Sequence, residues 1–248
     1  MQTANPVLSD RTFDSFVGFA SPETTMTVSG TVNKTGILLL CVLAGAVWTW
    51  SRFTMADPGA VMPYLIGGSI AGLVLALITT FKMPWAPMTA PLYALAEGLV
   101  LGGLSAMIES RYPGIAMQAV AMTFGTLACM LVAYRSGMIR ATERFKLGVV
   151  AATGAIFLVY MVSWLLSLFG FPGFSILSGN GLVGIGFSVV VVGIAALNLI
   201  LDFDLIERGS QRGAPKYMEW YGAFALMVTL IWLYIEILRL LSKLRSRD

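Results

Sequence analysis

The chain has 248 residues, 57% of them hydrophobic and 12% charged, with a net charge of +3 and no histidine. So apolar a composition excludes an ordinary soluble domain, and the small, loop-borne positive charge gives nucleic acid nothing to bind. The missing histidine removes Ser-His nucleophilic catalysis, His-ligated haem and most catalytic zinc sites. Carboxylate, lysine, arginine and tyrosine are left for chemistry, and no enzymatic activity is expected.

Apolar runs of the roughly 20 residues needed to cross a bilayer core recur along the chain. They are continuous rather than alternating, which excludes a membrane β-barrel. The expected fold is therefore all-α, a polytopic membrane protein with seven transmembrane helices. Residues 1–34 read as a polar, mobile or surface-lying tail with Pro6 and Pro22, and residues 35–248 as the transmembrane domain. The tail lacks an apolar signal core, so the first span is expected to act as an uncleaved anchor.

The first span is expected over Thr35–Trp50 and the second over Val61–Phe81. The third is expected over Pro91–Glu109, the fourth over Ile115–Tyr134 and the fifth over Leu147–Phe169. Gly68 and Gly72 in the second, and Gly98 and Gly102 in the third, have the four-residue spacing that lets membrane helices approach closely. Cys41 and Cys129 lie inside apolar runs and read as buried thiols serving as small hydrophobes. A glycine-rich link, GFPGFSILSGNG, leads to the sixth span at Leu182, which should stay helical to Arg208 and stop at Gly209. The seventh runs over Tyr217–Leu241, opened by Trp220 and Tyr221 as interface anchors.

With seven crossings, ten basic residues fall on the side of the tail and the even-numbered links: Arg11, Lys34, Lys82, Arg135, Arg140, Arg144, Lys146, Arg208, Arg212 and Lys216. Six fall opposite: Arg52, Arg111, Arg239, Lys243, Arg245 and Arg247. The positive-inside rule makes the ten-residue side cytoplasmic, with the N-terminus there, in the inner membrane of the cell. If the last segment dipped in and returned, its basic end would rejoin that side.

Acids inside such a chain are costly and persist where they face a bundle interior or a wet cavity. The run NLILDFDLIERGSQR at Asn198–Arg212 puts Asp202 and Asp204 at a membrane edge. Glu97 and Asp202 both fall about 10 Å from that edge at the helical rise per residue. Glu219 joins them at the start of the seventh span, whereas Glu109 and Glu236 belong to the opposite edge. Asp202 and Asp204 differ by about 200° around the helix, so only one can face inward. Asp202 continues a polar stripe from Asn198, while Asp204 precedes Arg208 in the acid-then-base order of a surface salt bridge. Asp202 is thus the expected interior acid, beside Glu97 if the two converge. Such a pair could hold a proton or a hard cation such as Ca²⁺. The plainer reading is a solvated helix end with interfacial charges.

Several segments resemble the bacterial branch of the Bax inhibitor-1 (transmembrane Bax-inhibitor-motif) family. They are MTVSGTVNKTG at Met26–Gly36, YALAEGLVLGGLSAMIE at Tyr93–Glu109, FGTLACMLVAYRSGMIRATERF at Phe124–Phe145, and LILDFDLIERGSQRGAPKYMEWYGAFALMVTLIWLYIEILRLLSKL near the end. The blocks DFDLIERG and GAPKYMEWY are the most specific. The resemblance implies seven helices with the last one central. It also implies a proton-sensitive calcium leak gated by two aspartates, one late in helix six and one in helix seven. Asp202 matches the first. At the second position this chain has Thr229, so Glu219, Glu97 or Asp204 substitutes, or calcium gating does not carry over.

The first functional expectation is a pH-sensitive leak for Ca²⁺ or another cation, with no cofactor beyond that ion. Its gate would be Asp202, Glu97, Asp204 and Glu219, with Asp202 and Glu97 as metal ligands and Arg208 in a rim salt bridge. The alternative is a non-conducting regulator that binds a membrane protease or other membrane proteins. An intramembrane aspartyl protease lacks a Gly-x-Gly-Asp element, and a retinal protein lacks a mid-span lysine.

Overall fold

The computed structural model describes residues 25–55, 57–170, 179 and 181–247. The expected tail up to residue 24 and most of the glycine-rich link lie outside the described residues. Seven helices are long and apolar enough to cross a membrane: α1 (Val28–Arg52), α2 (Met62–Phe81), α3 (Ala86–Glu109), α4 (Ile115–Arg135), α5 (Glu143–Leu168), α6 (Leu182–Gln211) and α7 (Met218–Arg245). Short 3₁₀ turns, Pro58–Val61 and Met83–Trp85, lead into α2 and α3. The chain is thus a multi-pass membrane protein of all-α class.

Three helix ends differ from expectation, each for a local reason. α1 starts at Val28, ahead of Thr35, because the Thr27 hydroxyl accepts from the Gly30 amide at 3.0 Å and caps the first turn. Apolarity marks where lipid begins, not where helix begins. α3 starts at Ala86, with Pro87 in its first turn where no helical donor is lost, and runs on through Pro91, which lacks one interior donor. α6 passes through Gly209 and stops at Gly213, the residue with φ of 68°. There the Gly213 amide donates to Ser210 and the Ala214 amide to Gly209, each at 3.1 Å, the paired bonds of a Schellman ending.

α7 is the central helix. In its most apolar stretch 67% of residues are buried, against 11% for α5. It packs against α1, α3, α4 and α6, while α2 leans on α3 and α5 on α6. Tyr221 is consequently a core residue, its ring tilted against Phe224, which Tyr93 meets edge-on, rather than an interface anchor. At 28 residues α7 is about 42 Å long, ample for a full crossing rather than a dip and return.

The glycine spacings serve close approach. Side chains on Gly98 and Gly102 would run into the carbonyls of Val42 and Ala46 on α1. On the other flank of α3, a Cβ on Gly68 would come within 2.8 Å of the Ala96 carbonyl oxygen on α3. Cys41 is half-buried, but Cys129 faces outward. A membrane helix is apolar on its lipid face too, so an apolar run does not separate inside from outside.

Candidate functional site

The polar stripe expected on α6 is present. Asn198 and Asp202, one turn apart, are both enclosed, and Asp202 is 1% exposed. The Asn198 amide donates at 2.9 Å to the Thr153 hydroxyl of α5 and at 2.9 Å to the Ile194 carbonyl. A carboxylate at this depth is sealed from lipid and open water by the bundle around it.

Asp204 lies on the other flank, in a ladder of alternating charge. Its carboxylate meets Arg208 at 2.7 Å and Lys146 of α5 at 3.0 Å, and Lys146 reaches Glu143 at 3.2 Å. Close beside it, the Tyr134 hydroxyl of α4 donates to Glu207 at 2.5 Å. Asp204 is therefore a paired rim acid, as its spacing to Arg208 predicts. Lys146, a full helix away in sequence, gave no such signal.

Glu219 and Glu97 are placed elsewhere. Glu219, buried at the start of α7, accepts from the Thr27 backbone amide at 2.9 Å and hydroxyl at 2.8 Å. It also pairs with Lys216 at 3.0 Å and with Lys34. Glu97 lies against α2, where a Cβ on Gly72 would come within 2.6 Å of its Oε1. Glu97 thus sits on α3, and Asp202 on α6, which packs on α4, α5, α7 and α1. Thr229 is buried in α7, its hydroxyl turned back to the Ala225 carbonyl at 3.5 Å.

The opposite edge carries a second buried polar set. Glu236 accepts from Arg239 at 2.9 Å and from the Tyr160 hydroxyl of α5 at 3.0 Å. Lys243 donates to the Gly184 carbonyl at 3.1 Å and the Ser188 hydroxyl at 3.0 Å, both on α6. Glu109 accepts the Gly114 and Ala116 amides at 2.5 and 2.9 Å and so caps α4. These partners, Tyr160 and Ser188 above all, come from distant segments and could be found only by packing.

Among the described residues, no group of three Asp, Glu or Cys side chains is placed to hold a metal ion. A resident Ca²⁺ takes six to eight oxygens, and no carboxylate cluster of that kind is present among the described residues. No curated protein and no solved structure matches the chain. The family model described as Bax inhibitor 1 like matches residues 5–246, so the chain belongs to the Bax inhibitor 1 like family.

Proposed function

We propose that this protein is a pH-sensitive leak for Ca²⁺ or another cation, of the Bax inhibitor-1 type, with Asp202 as its gate. It works as a conduit rather than a catalyst, in the inner membrane with the N-terminus on the cytoplasmic side. The single observation that supports this reading is a carboxylate 1% exposed near the end of a membrane-spanning helix. Burial of that acid means closed: a cation or a proton reaches it only when the surrounding helices part. The ionised carboxylate attracts the cation, and protonation removes that attraction. Flux should therefore fall as pH falls.

Asp204, Glu219 and Glu97 take other roles in this reading. The first two are held by lysine and arginine and fasten helices together, and Glu97 fills the α2–α3 contact. With Thr229 in place of a second aspartate, one acid carries the gate.

The test is Ca²⁺ entry into dye-loaded proteoliposomes across a pH series. The wild type should show a pH step, and Asp202→Asn should remove it and leave a low, flat flux. Electrically silent liposomes, together with recovery of one stoichiometric membrane-protein partner, would instead support the non-conducting regulator.

A further inference from the structure

The far end of α7 holds an enclosed acid that the gate does not use. Glu236 is 1% exposed. It accepts from the Tyr160 hydroxyl of α5 at 3.0 Å and from Arg239 at 2.9 Å, and Arg239 also donates to that hydroxyl at 2.8 Å. The Arg239 side chain is 42% exposed, so its charge opens to the surface while the carboxylate beneath it does not.

Tyr160 is also the last member of a polar stripe on α5. Lys146, Thr153 and Tyr160 stand seven residues apart, a spacing that keeps them on one helix face. Each is bonded to a neighbouring helix: Lys146 to Asp204 at 3.0 Å, Thr153 to the Asn198 amide at 2.9 Å, and Tyr160 to Glu236. At the helical rise the stripe covers about 21 Å, some two-thirds of a hydrocarbon core of about 30 Å. Asp202 lies on α6 between Asn198 and Asp204, so the stripe begins at its depth. Carboxylate, amide and hydroxyl groups recur along it, and their oxygens are the donors a hard cation takes. Val149 and Ile156, 4% and 7% exposed, fill the levels between and close the seam.

Hydroxyl and amide bonds also serve as plain glue between membrane helices. Two features favour passage. α5 is the least enclosed of the seven helices, with 11% of its most apolar stretch buried, so it is the wall with the least packing to lose. Other routes are poorer. Gly98 and Gly102 bring α3 so close to the backbone of α1 that an ion has no room at those levels. The lateral groove of about 630 Å³ between α1 and α4 is walled by Leu43, Val47, Met117 and Val120. Ser105, Tyr234 and Glu109 in its lining are bonded within the protein.

We propose that the cation path runs along the seam between α5 and the α6–α7 pair, from Asp202 past Asn198 and Thr153 to Glu236, where a divalent cation displaces Arg239 from the carboxylate. This rests on the leak reading above and adds its route and a far-side site. Arg239 is then a tethered cation that holds the carboxylate until Ca²⁺ arrives, and Val149 and Ile156 seal the seam until α5 leans away.

The experiment uses the full chain, carrying Cys41→Ala and Cys129→Ala, in proteoliposomes. It follows Ca²⁺ entry together with modification of one introduced thiol by a charged, membrane-impermeant methanethiosulfonate. Thr153→Cys should be modified several-fold faster than Phe157→Cys, a lipid-facing position about one turn away, and its modification should stop Ca²⁺ entry. Ile156→Ser should raise entry several-fold. Glu236→Gln should raise, and Arg239→Gln should lower, the Ca²⁺ concentration at half-maximal entry, each several-fold. Opposite shifts from two partners of one ion pair separate a cation site from a mere loss of stability. Thr153→Cys left unmodified, or modified with Ca²⁺ entry intact, would overturn the route, while an Asp202-dependent pH step in the same preparations keeps the leak reading. Shifts of the same sign in Glu236→Gln and Arg239→Gln would overturn the far-side site. A wild type that passes no Ca²⁺ would overturn the leak and the route together.

Discussion

The Glu219 carboxylate caps α1 from the start of α7, accepting the amide of Thr27 at 2.9 Å and its hydroxyl at 2.8 Å. The residues are 192 positions apart. With Lys34 and Lys216 it clasps the N-terminus of the first helix to the entry of the last, and the antiparallel bridge between Thr25 and Pro215 extends the clasp. Charge-assisted hydrogen bonds to a buried carboxylate contribute about 1.5–3 kcal/mol each. Glu219→Gln should lower the thermal midpoint of the purified protein clearly. Gly30→Ala should do the same, because its Cβ would collide with that carboxylate. A midpoint unchanged in both would mean that the clasp carries no stability.

The two aspartates of α6 should separate by function. Asp202→Asn is expected to flatten the pH dependence of Ca²⁺ flux. Asp204→Asn is expected to keep the pH step and cost stability, of the order of 1–3 kcal/mol, by leaving Lys146 and Arg208 less well matched. Flux titrations and thermal unfolding of the same two preparations decide it. The reverse assignment would move the gate to the rim.

Thr229→Asp puts an acid on the central helix where the resemblance implies a second aspartate. Two coupled carboxylates titrate as a pair in two macroscopic steps rather than one. The pH profile of flux in this variant should therefore broaden or split, and Thr229→Asp combined with Asp202→Asn should return it to a single step. An unaltered profile in Thr229→Asp would show that this position does not communicate with Asp202.

At the far edge, Lys243 fastens α7 to the first turns of α6 through Gly184 and Ser188. Removing an acceptor from a buried charge costs more than removing the charge and keeping the packing. Ser188→Val should therefore lower the thermal midpoint more than Lys243→Met. Equal losses would argue that the hydroxyl adds nothing to holding the ammonium.

Gly102→Val tests the contact of α1 with α3. The added side chain would meet the Ala46 carbonyl, so the helices must move apart along a seam that also holds Gly98 and Gly45. Overpacking of this kind costs about 1–3 kcal/mol or more. Protease resistance in detergent micelles should fall, whereas Gly125→Val, at a position with open space around it, should leave it unchanged.

Residue order alone settled the class, the number of crossings and the inward choice of Asp202 over Asp204. Each follows from one-dimensional facts: run length against bilayer thickness, and the angle between neighbours on a helix. Order did not reveal which acids meet. Glu97, Asp202 and Glu219 share a depth by counting, yet Glu97 turns to Gly72, Glu219 to Thr27, and Asp202 to the bundle interior. Depth comes from counting along one helix. Proximity depends on how helices are arranged around α7 and on how each is rotated, and lipid-facing and core-facing surfaces are equally apolar. For the same reason Tyr221 and Cys129 exchange their expected surroundings, and the groove between α1 and α4 exists only once both helices rest on the central one. Chemistry along the chain fixed what could cross the membrane; packing across it decided which charges would stand together.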